Sequence, residues 1–133
     1  MSYLLDTNIC VYWLKGDESI EKRSCAIGLE AISVSFITIS ELYYGAYKSR
    51  KVNENIAAVV KLESRLGIID SNEEICKNFG KLKAELEKEG KIIDDADLFI
   101  AACALTNNLI LITNNEKHFG RIESLKLENW KEV

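Results

Sequence analysis

Three acidic residues lie beside predicted strand ends or helix starts, where carboxylates can be brought together. Asp6 ends a short apolar run, and Glu41 lies near the start of the helix that follows a second such run. Asp97 falls in the first turn of a third predicted helix. Clustered carboxylates hold divalent cations, and a cation-bound water is a nucleophile for phosphate esters. The residue types therefore predict metal-assisted phosphodiester hydrolysis, provided that the fold gathers the three acids.

The apolar pattern indicates the elements that must position these acids. Short apolar runs predict strands, and longer amphipathic segments predict helices. The strands fall at residues 3–5, 32–35, 68–69 and 109–112, and the helices at 9–14, 38–49, 53–66, 72–89 and 94–106. Thr38 is the predicted start of the second helix, and Gly90 is the predicted stop of the fourth.

Strands and helices alternate, and no proline, internal repeat or linker interrupts the 133 residues. This organisation predicts one α/β domain over residues 1–133, a three-layer α/β/α sandwich with a mainly parallel central sheet. In open sheets of this kind, ligands bind at the carboxyl ends of the strands. We therefore expect Asp6, Glu41, Asp97 and the polar stretch 113–115 to meet at one edge of the sheet.

Each acid taken alone also has an ordinary structural explanation. Asp6 and Asp97 belong to the residue type favoured at helix starts, and Glu41 fits an exposed helix face. Three carboxylates in one cleft are different, because a pair ~4 Å apart at an effective dielectric of ~20 repels by about 4 kcal/mol. Such a cluster needs cations, so the expectation of a metal site depends on the three acids being neighbours.

The available ligand types indicate which cation would bind. The four cysteines form no C-x-x-C pair, and the one histidine, His118, is predicted to lie in a surface loop, so a zinc site is not expected. We expect the cysteines to be buried free thiols. Only oxygen ligands remain near the acids, which favours Mg²⁺, with Mn²⁺ as the other candidate.

Charge and hydropathy limit the partners. The net charge of −4 argues against a protein that binds nucleic acid through an overall basic surface. RNA would be attracted locally, by the metal and by Lys48, Arg50, Lys51 and the lysines between positions 77 and 91, although these lysines also fit a solvated helix face. The longest uncharged apolar stretch, residues 98–105, is too short to span a membrane, and we identify no signal peptide. The sequence predicts a cytoplasmic protein with no membrane role.

Four segments, taken in order, resemble the PIN-domain ribonucleases and, within them, the VapC toxins of toxin–antitoxin pairs. They read YLLDTNICVYWL at the start, ISELYYGA around Glu41, DDADLFIAACAL around Asp97, and LITNNEKHFGRIESLKLENW near the end. The ordered set covers nearly the whole chain. The resemblance implies a PIN-like nuclease domain, Mg²⁺-dependent endoribonuclease activity, an RNA substrate, a cognate antitoxin protein and a homodimer.

The resemblance also implies roles for individual residues. Asp6 and Asp97 correspond to the principal metal ligands, and Glu41 corresponds to the third acid, which positions the metal or a water. Thr113 and Asn114 correspond to the polar pair that shapes the site and contacts RNA. These are the candidate catalytic and substrate-binding residues.

The chain departs from the family pattern at Asn115, where many relatives carry an aspartate. The departure leaves open whether a second metal is firmly held, and Asn115 can still ligate through its carbonyl oxygen or through a water. Asp94 or Asp95 supplies extra negative charge nearby, or caps the helix that follows.

Three tyrosines in the ISELYYGA region permit more than one interpretation. Their spacing covers a wide face of one helix, so Tyr43, Tyr44 and Tyr47 are predicted as helix core in preference to an RNA-stacking surface. Any exposed part of them, together with Trp13, would form a dimer interface or a groove for an antitoxin helix.

Two other functions stay open at this point. A phosphohydrolase with an aspartyl nucleophile also places an acid after the first strand of an α/β sheet. Such enzymes usually need a second aspartate two residues on, where this chain has Asn8. A PIN-like domain with weak metal binding would instead be a non-catalytic RNA-binding or partner-binding module.

Overall fold

The computed structural model describes residues 2–131, in which one or two α-helices separate each strand from the next. The strands are β1 (Tyr3–Leu5), β2 (Ile32–Ser35), β3 (Gly67–Ile69), β4 (Ile110–Ile112) and β5 (Leu127–Glu128). The helices are α1 (Thr7–Leu14), α2 (Glu18–Ile27), α3 (Phe36–Tyr47), α4 (Val52–Arg65), α5 (Glu73–Lys88), α6 (Asp95–Thr106) and α7 (Glu116–Phe119), with a 3₁₀ turn at Leu29–Ala31. None of these helices is both long and apolar enough to cross a bilayer.

The central sheet is parallel throughout and is covered on both faces. Its strand order is β3-β2-β1-β4-β5. Leu5 and Ile112 point to the face packed by α1, α2 and α4, whereas Leu4 and Leu111 point to the face packed by α5 and α6. All four side chains are fully buried, and each burial stabilises the fold by about 1.5–3 kcal/mol. The predicted three-layer α/β/α sandwich is confirmed.

The strand order reverses at β1, because β2 and β3 lie on one side of it and β4 and β5 lie on the other. In parallel sheets, the crevice that binds ligands forms at the carboxyl ends of the strands where the order reverses. Asp6 follows β1 and Thr113 follows β4. The topology alone therefore brings the first and the last of the predicted site segments together.

The start of α3 differs from the prediction. The helix begins at Phe36, because the Ser35 hydroxyl accepts the backbone N–H of Thr38 over 3.1 Å and caps the helix one turn earlier than expected. Ser35 thus ends β2 and caps α3 at once. Glu41 consequently lies in the second turn of α3 and not at its start.

The remaining predicted helices and strands lie close to their expected bounds, and Gly90, with φ of 70°, ends α5 as predicted. The sequence pattern did not predict α2, the 3₁₀ turn, α7 or β5. The apolar pattern of α2 is too weak to indicate a helix, because only Ile20 and Ser24 in that helix are buried. The helix is nevertheless well capped, because Asp17 Oδ1 accepts the backbone N–H groups of Ser19 and Ile20.

Two expectations about buried residues need correction. Tyr44 and Tyr47 are 65% and 67% exposed, so the prediction of helix core was wrong for both, and Tyr43 alone is half-buried. The buried face of α3 is formed instead by smaller side chains, including Leu42 and Ala46.

All four cysteines are free thiols. Cys10 and Cys103 are buried as expected, but Cys25 and Cys76 are exposed because they lie on the outward faces of α2 and α5.

Candidate active site

Asp6 is the buried centre of the candidate site. Its side chain is 3% exposed, and Oδ1 accepts the backbone N–H of Ile9 over 2.9 Å, which makes Asp6 the N-cap of α1. The backbone N–H of Asp6 donates to the carbonyl oxygen of Ile112 over 3.0 Å. The fully buried Thr113 hydroxyl also bonds to the Asp6 carboxylate. Strand pairing and capping together fix this carboxylate in place.

The surroundings of Asp6 disfavour the ionised form of its carboxyl group. Burial raises the pKa of Asp6 to about 6, and the hydrogen bonds from Thr113 and from the Ile9 N–H only partly oppose this effect. The nearby carboxylates of Asp97 and Glu41 make smaller contributions to this rise in the pKa. The fold therefore does bring the three predicted acids within electrostatic reach of one another.

Asp97 lies in the first turn of α6 and faces His118. The distance between Asp97 Oδ2 and His118 Nδ1 is 3.3 Å, an ion-pair distance without hydrogen-bond alignment, so the buried Nδ1 has no hydrogen-bond partner within residues 2–131. Burial raises the pKa of Asp97, the contact with His118 opposes that rise, and the charges of Asp94 and Glu41 add to it. The prediction that His118 lies in a surface loop was wrong, because α7 carries the ring back to the carboxyl edge of the sheet.

Glu41 is exposed and is held by a pair of threonines that the sequence reading missed. The Thr7 hydroxyl donates to Glu41 Oε1 over 2.6 Å. Thr7 Oγ1 also lies 3.1 Å from Thr38 Oγ1, and Thr38 is fully buried beside the cap of α3. These contacts join the first turn of α1 to the first two turns of α3. A hydroxyl residue directly after Asp6 was the available signal for this role.

The loop after β4 supplies the other predicted contacts. The backbone N–H of Asn115 donates to Thr113 Oγ1 over 2.9 Å, which closes a tight turn. Asn114 is exposed, and its Nδ2 donates to the hydroxyl of Tyr12 over 3.0 Å. Asn115 is half-buried in the same turn.

Asp94 and Asp95 differ in what they contribute. Asp94 occupies the N-cap position of α6, but its side chain makes no capping hydrogen bond, and its charge acts on Asp97. Asp95 pairs instead with Lys83 over 2.9 Å. Asp94 is therefore the extra acid of the site.

The donor set fits a hard divalent cation. Across residues 2–131, no group of three or more His, Cys, Asp or Glu side chains is placed so that it could hold a metal ion. Mg²⁺, however, is usually held by one or two carboxylates and keeps several waters, and Asp6 and Asp97 supply that number. The burial of the Asp6 carboxylate beside Asp97 and Glu41 is the structural observation in favour of the fit, because a cation would offset the burial and repulsion that disfavour its charged form.

Comparison with known proteins finds relatives that align with nearly the whole chain. A family model described as PIN domain matches residues 3–125. The chain is 42% identical over 132 residues to Ribonuclease VapC2 from Haemophilus influenzae, and 31% identical over 130 residues to the tRNA(fMet)-specific endonuclease VapC from Shigella flexneri, with 98% of each chain covered in both cases. It also matches, with a TM-score of 0.90 and 42% identity over 98% of this chain and 99% of the other, the crystal structure of VapBC2 from Rickettsia felis bound to a DNA fragment from their promoter.

Proposed function

Because the chain belongs to the PIN-domain family, we propose that it is a divalent-metal-dependent endoribonuclease and the toxin of a toxin–antitoxin pair. The observation that carries the proposal is the buried Asp6 carboxylate, whose pKa is raised to about 6 beside Asp97 and Glu41. The relatives named ribonuclease and endonuclease VapC support the reaction class. Mg²⁺ is the proposed ion, with Mn²⁺ as the second candidate, because the donors are oxygens.

In this proposal the acids divide the work between them. Asp6 and Asp97 hold the ion, which when bound supplies an acidic water and offsets charge on the phosphate. Glu41, exposed and fixed by the Thr7 hydroxyl, accepts the proton of the attacking water. The water oxygen then bonds to phosphorus, the bond from phosphorus to the leaving ribose oxygen breaks, and that oxygen takes up a proton from solvent water.

The polar residues beside the acids position the reacting groups. The Thr113 hydroxyl keeps the Asp6 carboxylate in one orientation. Asn114 is the proposed RNA contact, and Asn115 and Asp94 are the proposed neighbours of a second metal that arrives with the RNA phosphate. With an amide at position 115, only one ion would be firmly held, and Asp6 and Asp97 would be the residues that hold it.

The antitoxin groove in this proposal is the furrow along α1. Leu14 and Ala58 line both a hollow of about 440 Å³ beside Trp13 and a hollow of about 260 Å³ that reaches Glu41. An apolar groove of this kind accepts an amphipathic helix, and an occupant that extends to Glu41 would block the site. The expected result is that the product of the neighbouring reading frame inhibits cleavage, and that Leu14→Glu weakens this inhibition. Full inhibition of Leu14→Glu would place the antitoxin elsewhere.

We also propose that the protein is a homodimer and that it acts on cytoplasmic RNA. The exposed rings of Tyr44 and Tyr47 on α3 are the proposed contact between protomers, because two largely exposed tyrosines on one helix are typical of an interface. Light scattering tests this assignment: a Tyr44→Glu, Tyr47→Glu double variant should be monomeric at concentrations where the wild type is dimeric. An unchanged mass would move the interface to another surface.

The experiment that tests the proposed activity is cleavage of structured RNA by purified protein, with and without Mg²⁺. Cleavage should require the metal and should be lost in Asp6→Asn and Asp97→Asn. Asp95→Asn is the matched control, because it removes a carboxylate two residues from Asp97 that pairs with Lys83 instead. Equal activity in all variants would mean a contaminating nuclease.

Two other results would select the alternative functions. Metal binding too weak to detect, with RNA still bound, would make the chain a non-catalytic module. A phosphoenzyme trapped on Asp6 would make it a phosphohydrolase.

A further inference from the structure

We propose that Tyr12 positions the Asn114 carboxamide, and that Lys131 in turn holds Tyr12 in place. The inference rests on the proposed function, in which Asn114 contacts the RNA. It gives a role to two residues outside the acid cluster, one on α1 and one near the end of the described chain.

The first step is the contact between Asn114 and Tyr12. Asn114 is exposed in the loop after β4, where an unrestrained side chain would sample several rotamers. Its Nδ2 donates to the Tyr12 hydroxyl over 3.0 Å, and residues 2–131 offer its side chain no other hydrogen bond. The half-buried Tyr12 belongs to a helix, so this one bond transfers the rigidity of α1 to the carboxamide.

The second step is the contact between Tyr12 and Lys131. The ammonium nitrogen of Lys131 lies 4.9 Å from the centroid of the Tyr12 ring, a cation–π distance. The same nitrogen lies 2.8 Å from Asp17 Oδ2, and Asp17 is itself fixed as the N-cap of α2. The neighbouring Trp130 is 2% exposed and anchors this part of the chain. Lys131 is thus held on both sides while it covers the phenol ring.

The third step is that α1 and its N-cap residue hold other parts of the site as well. Asp6 bonds to Thr113, Thr7 bonds to Glu41, and Tyr12 bonds to Asn114. Asp6, Thr7 and Tyr12 therefore each hold a different segment of the site. The Tyr12 hydroxyl extends this arrangement to the loop that meets the RNA.

Tyr12→Phe tests the first step, because it removes one oxygen and keeps the ring that Lys131 covers. With RNA as substrate, kcat/KM should fall about fivefold, the change that one neutral hydrogen bond is worth. In an Asn114→Ala background the same substitution should cause no further loss. An equal loss in both backgrounds would overturn the proposal, since a purely structural effect does not depend on Asn114.

A second measurement does not depend on cleavage. The side-chain amide resonance of Asn114 in ¹⁵N-labelled protein should move toward its random-coil position in Tyr12→Phe, and by a smaller amount in Lys131→Gln. Tyr43→Phe is the matched control, because it removes a phenol hydroxyl that bonds to Glu63 over 2.7 Å on another helix pair. An unmoved Asn114 resonance in Tyr12→Phe would refute the positioning role, and an unmoved one in Lys131→Gln would remove Lys131 from it. A wild type that cleaves no RNA would instead refute the proposed function and leave this readout intact.

Discussion

The Asp97 carboxylate and the His118 ring meet at 3.3 Å between Oδ2 and Nδ1. They come from α6 and α7, two helices that the chain reaches before and after β4. The ring is charged only when it is protonated, so the contact is an ion pair in one protonation state alone. A cation at Asp97 would compete with the protonated ring for the same carboxylate. His118 therefore influences the proposed metal site although it is not one of the proposed ligands.

The first prediction concerns this contact. His118→Phe keeps a ring of similar size but removes Nδ1, which now opposes the rise in the pKa of Asp97. The pKa of Asp97 should therefore rise further in the variant. Carboxyl ¹³C resonances followed over a pH titration measure it directly, and a pKa that stays the same or falls would show that the ring does not act on Asp97.

The second prediction is a pH dependence of stability in metal-free protein. The folded-state pKa of Asp6, about 6, lies above its ordinary value of 3.8, so the folded protein binds this proton more tightly than the unfolded chain does. The resulting stabilisation is complete below the ordinary pKa and is lost as the pH rises through about 6. Between those limits the wild type should lose on the order of 3 kcal/mol relative to Asp6→Asn.

Urea unfolding with a chelator present, at about pH 4 and about pH 7, measures this difference. Comparison with Asp6→Asn cancels the contributions of the other titrating groups. Parallel behaviour of the two proteins would mean that the Asp6 carboxylate is not strained.

The third prediction concerns the repulsion between the acids. Asp97→Asn removes a charge that acts on the buried Asp6, so the metal-free variant should melt higher than the wild type, by roughly 3 °C for each kcal/mol gained. The stabilisation that Mg²⁺ adds to the wild type should be absent from the variant. A variant that melts lower without metal would show that the lost contact with His118 outweighs the relieved repulsion.

The fourth prediction concerns Thr7. Thr7→Val keeps the shape of the side chain but removes the hydroxyl that holds Glu41 at 2.6 Å. Because this is a hydrogen bond to a charged group, kcat should fall roughly tenfold or more. Thr7→Ser should retain most of the activity. If Thr7→Val and Thr7→Ser behave alike, the methyl group and not the hydroxyl is what matters.

Most of the fold could be predicted because its causes are local. The continuous apolar run that became β4 indicates a strand covered on both faces, and Gly90 ends α5 through its own backbone conformation. The start of α3 could not be placed so well, because Ser35 and Thr38 are both good capping residues. The strand pairing of Ser35 decides between them, and that pairing is a tertiary fact.

The residues of the site also include some that the sequence predicts and some that it does not. Asp6 and Asp97 were predicted from residue type and position, and the structure brings their charges within reach of each other. The roles of Thr7 and His118 were missed, because both depend on which side chain stands opposite. Two exposed tyrosines were likewise misassigned to the core, since spacing along a helix does not reveal which face the sheet covers.

The measurement that tests the central claim most directly is calorimetric titration of Mg²⁺ into metal-free protein. The wild type and the control Asp95→Asn should each bind one ion, and Asp97→Asn should show no binding at millimolar metal. Equal binding by Asp97→Asn and the wild type, or no binding by the wild type, would contradict the claim that these carboxylates form a metal site.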